Sequence, residues 1–76
     1  MPRLPNITSK QLAKFFKKEG YILDHASGSH YVYYQPVTKK RAVIPMHNKD
    51  LPKGTLLAIL RQNGYSKDDL SKGLRK

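Results

Sequence analysis

Tyr21-Ile22-Leu23-Asp24-His25-Ala26-Ser27-Gly28-Ser29-His30-Tyr31-Val32-Tyr33-Tyr34-Gln35 is the stretch on which the fold of this 76-residue chain turns. Two runs of strand formers, Tyr21 to His25 and His30 to Gln35, flank the small residues Ala26-Ser27-Gly28-Ser29, and that arrangement predicts a hairpin. Pro36-Val37-Thr38-Lys39-Lys40 predicts a second turn, since Pro36 cannot continue a central strand, and Arg41-Ala42-Val43-Ile44-Pro45 predicts a third strand. Three consecutive strands with short links form an antiparallel meander. Side chains alternate along a strand, so Tyr31 and Tyr33 share one face while His30, Val32 and Tyr34 share the other. The pattern alone leaves open which set faces inward.

Upstream, Thr8-Ser9-Lys10-Gln11 has the form of a capping box, with Ile7 and Leu12 placed for a hydrophobic staple. Leu12, Phe15, Phe16 and Glu19 follow at helical spacing, and Gly20 stands where a left-handed residue closes a helix, which predicts a helix over 8–19. Downstream, Met46 to Lys53 reads as a loop and Thr55 to Asn63 as a second helix that lays Leu56, Leu57, Ile59 and Leu60 on the sheet. Gly64 is its stop, and Ser66 with Asp69 marks the start of a short helix toward Leu74. The expected fold class is α+β, in α-β-β-β-α order with a three-stranded antiparallel sheet, both helices on one sheet face, and a short C-terminal helix.

The length suits one domain spanning 1–76. The chain contains no cysteine, which excludes a disulfide staple, a thiolate zinc cluster and a thiol nucleophile. Fifteen Lys+Arg against five Asp+Glu give a formal charge of +10, far more than solubility needs, so the expected partner is a polyanion. No apolar run approaches the ~20 residues of a membrane span, and Met1-Pro2-Arg3-Leu4-Pro5 has no hydrophobic signal core, so a cytoplasmic protein with no membrane partner is expected.

No phosphate-cradling glycine loop, Ser-His-Asp arrangement or metal-ligand cluster is present, and no cofactor is expected. An enzyme built from this inventory leans on imidazole and cations. That pairing suits phosphodiester chemistry on RNA: the 2′-hydroxyl is a built-in nucleophile, imidazole exchanges a proton near neutral pH, and Lys or Arg steadies charge on the phosphoryl oxygens. Of three histidines, His30 follows Ser27-Gly28-Ser29, where small residues admit a phosphate backbone and main-chain N–H groups can meet an anion. His25 reads as a strand-end surface residue and His47 as a polar loop residue.

Four motifs, in order, carry a family resemblance: Ser27-Gly28-Ser29-His30; the basic turn ending in Lys39-Lys40-Arg41; Val43-Ile44-Pro45-Met46-His47; and Leu51-Pro52-Lys53-Gly54-Thr55-Leu56 followed by Ile59-Leu60-Arg61-Gln62-Asn63-Gly64. Together they resemble the HicA family of toxin mRNA interferases from about Ser9 to Leu70. The resemblance implies a fold like the double-stranded-RNA-binding domain. It also implies a ribonuclease that cleaves mRNA and a neighbouring HicB-type antitoxin that holds it inactive. The family's catalytic histidine falls on His30, with Gly28 two positions before it. The residues after His47 depart from the family pattern, so His47 is kept as a loop residue with a contact to RNA or antitoxin. In the Leu-Pro-Lys-Gly-Thr stretch, Pro52 is expected to fix the entry and Gly54 to permit a tight approach.

The expected RNA-binding surface comprises Gly28 and Ser29, the turn residues Lys39, Lys40 and Arg41, and the helix residues Lys14, Lys17 and Lys18 with Lys10. Tyr31, Tyr33 and Tyr34 are candidates for base stacking. The same positive surface suits an acidic antitoxin. Two other readings compete with a metal-independent endoribonuclease. One is a non-catalytic RNA-binding module that uses the helix lysines to read A-form geometry; the other is a basic structural protein of a ribonucleoprotein particle. Whether His30 serves as base or acid, and the oligomeric state of the free protein, are left open by the sequence.

Overall fold

The computed structural model describes residues 6–46 and 50–74; His47 lies outside them. In chain order the elements are α1 (Ser9–Lys18), β1 (Ile22–Ser27), β2 (His30–Tyr34), β3 (Arg41–Pro45), α2 (Lys53–Gln62) and α3 (Lys67–Leu74). The sheet is an antiparallel meander in the order β1-β2-β3. The expected α-β-β-β-α order, with its additional C-terminal helix, is therefore the observed one.

Helix α1 starts as its sequence dictates. Thr8 is the N-cap: its hydroxyl accepts from the Gln11 main-chain N–H, and the Gln11 side chain accepts from the Thr8 N–H at 2.8 Å. The helix turns Leu12, Ala13, Phe15 and Phe16 inward and ends at Gly20, whose φ of +90° few other residues adopt. Helix α2 begins at Lys53, two residues earlier than the pattern suggested. Pro52 sets the entry as the N-cap residue, because a fixed φ near −65° suits a helix start even with no side-chain cap. Gly54 sits inside the first turn, and among the described residues no tight approach accounts for this glycine. Ser66 and Asp69 form the expected reciprocal cap before α3, at 2.8 and 3.2 Å.

Which strand face is inward is now decided. Tyr33, Ala42 and Ile44 are buried and Tyr31 packs against the same core, together with Phe15, Phe16, Leu56, Leu60 and Leu70. The helices pack on β3, and β1 projects as an edge strand with all six residues exposed. At one end of the molecule, α1 and α2 both begin beside the end of β3. The Ser9 hydroxyl donates to the Pro45 carbonyl at 2.5 Å, and the Leu51 N–H donates to the Ile7 carbonyl at 2.9 Å. At the other end, Tyr21 donates to the buried Asn63 side chain at 2.8 Å, and Asn63 donates on to the Ile59 carbonyl at 2.9 Å. This tie anchors the end of α2 to the start of β1.

Candidate active site on the open face of the sheet

The face of the sheet turned away from the helices carries His30, Val32 and Tyr34 from β2. Their cross-strand partners on that face are Ser27, His25 and Ile22 from β1 and Pro45, Val43 and Arg41 from β3. Residues directly opposite in an antiparallel pair share a face, so the register alone makes this assignment. Ile22 at 56% and Val43 at 47% exposed leave an apolar floor open to solvent.

His30 stands at the end of this face. The two-residue link Gly28-Ser29 precedes it, and Gly28 has φ +59°, the positive value a glycine-first hairpin turn requires. Among the described residues nothing lies within 4 Å of where a Gly28 Cβ would stand, so on their side the turn is open to an incoming backbone. The Ser29 carbonyl accepts from the Met46 N–H at 2.6 Å, which ties the turn to the end of β3. His30 is exposed, and among the described residues its imidazole has no hydrogen-bond partner.

A second group lies on the same face. Asp24 accepts from His25 Nδ1 at 2.8 Å and from the Arg41 guanidinium at 3.0 Å, and Arg41 lies over the Tyr34 ring at 4.8 Å. The hydrogen bonds from His25 and then from Arg41 hold the Asp24 carboxyl below its ordinary range. Sequence reading missed this group because adjacent strand residues normally face opposite ways. A shift in register between Leu23 and His25 is what puts Asp24 and His25 side by side. The run of strand formers from Tyr21 to His25 carries no sign of the extra residue.

The expected RNA-binding residues do not gather in one place. Gly28 and Ser29 adjoin His30, whereas Lys39, Lys40 and Arg41 lie at the other end of β2, about 13 Å away at ~3.3 Å per residue. Lys40 also donates to the Asn63 carbonyl at 3.4 Å and closes the end of α2, and Arg41 is engaged by Asp24. Lys14, Lys17 and Lys18 belong to the helix layer behind the sheet, with Lys18 donating to the Gly73 carbonyl at 3.3 Å. The stacking expectation is corrected for two tyrosines: Tyr33 is buried and Tyr31 packs on the core, so among the three only Tyr34 lies on the open face. Lys10 and Lys53, by contrast, occupy the first turns of α1 and α2, whose N-termini lie at the His30 end. There each adds a charge to a positive helix-dipole end.

No group of three or more His, Asp or Glu among the described residues is disposed to hold a metal ion. Among the same residues, no helix is long and apolar enough to cross a membrane.

An α-β-β-β-α chain with one covered and one open sheet face has the architecture of the double-stranded-RNA-binding type of fold. The family model described as the HicA toxin of bacterial toxin-antitoxin systems matches residues 9–65, and the chain belongs to that family. It is thus a toxin-family protein, and the family implies an antitoxin partner. No curated protein matches the sequence.

Proposed function

We propose that this protein is a metal-independent endoribonuclease, an mRNA interferase, in which His30 acts directly on the scissile phosphodiester and a HicB-type antitoxin neutralises it. The observation that carries the reading is the setting of His30. It is an exposed imidazole with no internal partner among the described residues, beside an open glycine turn, on the uncovered face of a family toxin.

In the proposed reaction the RNA 2′-hydroxyl attacks the adjacent phosphorus and the bond to the 5′-oxygen breaks. The products are a 2′,3′-cyclic phosphate and a 5′-hydroxyl. Imidazole near neutral pH moves the protons, a contribution of typically ~10²–10⁴-fold. Cations at the same end, Lys10 and Lys53, with the two helix N-termini, favour a polyanion there. Lys14, Lys17, Lys18, Lys39, Lys40 and Arg41 supply longer-range attraction for RNA or for an acidic antitoxin.

Product analysis on a single-stranded RNA tests the chemistry. The expected ends are a 2′,3′-cyclic phosphate and a 5′-hydroxyl, formed in the presence of a chelator. A 5′-phosphate and 3′-hydroxyl formed only with added magnesium would overturn the proposal.

A further inference from the structure

We infer that His25 is a second catalytic imidazole, oriented by Asp24 and set diagonally across the β1–β2 hairpin from His30 so that the two flank one scissile phosphate. This rests on the ribonuclease reading and deepens it.

The backbone supplies the first argument. On a regular strand Asp24 and His25 would project to opposite faces, and their side chains would not meet. The register shift after Leu23 sets two β1 residues where β2 offers one, and both then stand on the open face. The result is a carboxylate at 2.8 Å from His25 Nδ1. A carboxylate only accepts, so Nδ1 donates, and in the neutral ring Nε2 then carries the lone pair on the far side. Arg41 at 3.0 Å and its seat over Tyr34 fix the carboxylate in turn. His25 is nonetheless open to solvent, with 57% of its side chain exposed.

The register supplies the second argument. His25 pairs with Val32 and Ser27 with His30, so His25 and His30 are diagonal neighbours on one face. Such positions lie about 7–8 Å apart. Entering and leaving oxygens stand on opposite sides of the phosphorus, and a proton donor or acceptor must come within ~3 Å of each. Two imidazoles separated in this way meet that requirement. One takes the 2′-hydroxyl proton as the oxygen–phosphorus bond forms, and the other gives a proton to the departing 5′-oxygen. The enzyme's net proton count is then unchanged.

A purely structural role explains the cluster poorly, because all three partners are open to solvent and ion pairs in that setting add little to stability. The charged and titratable groups that face His25 are Asp24, Arg41 across β2, and His30.

The test compares wild type, His25→Ala, Asp24→Asn and His30→Ala on a single-stranded RNA. Affinity is read separately with 2′-O-methyl RNA, which lacks the nucleophile. His25→Ala should lower kcat by ~10²–10⁴-fold, leave affinity within about threefold, and remove one limb of the bell-shaped pH–rate profile; Asp24→Asn should shift that same limb. A His25→Ala protein with kcat within threefold of wild type and both limbs intact overturns the inference, as does an Asp24→Asn profile that superimposes on wild type. If His30→Ala is inactive while His25→Ala is active, this inference alone fails. If wild-type protein leaves RNA intact, the ribonuclease reading fails and takes this inference with it.

Discussion

Replacing Asn63 with Ala probes how the end of α2 is tied to the rest of the fold. Asn63 is 3% exposed and Tyr21, whose hydroxyl donates to it at 2.8 Å, is also 3% exposed. The Tyr65 hydroxyl lies against Tyr21 and Glu19, and burial pushes its pKa up, so this corner of the core is poor in solvent. Removing the Asn63 amide takes the acceptor from a buried hydroxyl, which costs about 1–3 kcal/mol. In a domain of this size each kcal/mol lowers Tm by ~4–8 °C, so a loss of about 2 kcal/mol corresponds to ~8–16 °C. Thermal melts followed by circular dichroism measure it. Adding Tyr21→Phe completes a double-mutant cycle, and the two losses should fall short of additivity by ~0.5 kcal/mol or more because they share one bond. An Asn63→Ala protein that melts within 2 °C of wild type, or a cycle that is additive, refutes the reasoning.

Gly28→Ala should cost about 1–2 kcal/mol, because φ +59° is left-handed for an L-residue even though no neighbour among the described residues crowds the site. Denaturant titration checks it, and a gain in stability would count against the turn geometry. Asp24 and Asp69 have lowered folded pKa values, through His25 and Arg41 for the first and the Ser66 cap for the second. Their contribution is present above the unfolded value of ~3.9 and is lost as pH falls through the lower folded values. The Asp24→Asn, Asp69→Asn double variant should therefore show a shallower fall of Tm below pH ~4 than wild type. Lys14→Gln with Lys17→Gln should weaken RNA binding while kcat stays constant, and the salt slope should fall by ~0.7 for each phosphate the variant no longer neutralises. A fall in kcat would place those lysines nearer the chemistry than the helix layer allows.

Much of the fold is legible from local signals. The Thr8–Gln11 box, the stop at Gly20 and the Ser66–Asp69 cap each satisfy main-chain groups within a few residues, and the structure uses all three. The connection expected over Ala26-Ser27-Gly28-Ser29, by contrast, narrows to Gly28-Ser29 because Ala26 and Ser27 pair with Tyr31 and His30. The inward face of β2 was not legible, because Tyr31-Val32-Tyr33-Tyr34 is apolar on both sides. Burial of Tyr33 is decided by helices that arrive from elsewhere in the chain. The position of His30 beside its turn was legible, and its candidacy rests on that turn and on the family resemblance. The Asp24–His25–Arg41 cluster was hidden, since it depends on a register shift in one strand and on a residue from another strand two places across the sheet. The lysines illustrate a different limit. Charge reports how strongly a chain attracts a polyanion, whereas placement sets Lys39 and Lys40 at the opposite end of the sheet from His30.

We propose that the exposed His30 imidazole, which has no hydrogen-bond partner among the described residues, cuts RNA at the end of the open sheet face. Cleavage of a single-stranded RNA by wild type and by His30→Ala, with affinity measured in parallel, tests it most directly. Cleavage by His30→Ala should fall by at least ~10²-fold with affinity and Tm unchanged. Equal cleavage by the two proteins would contradict the account.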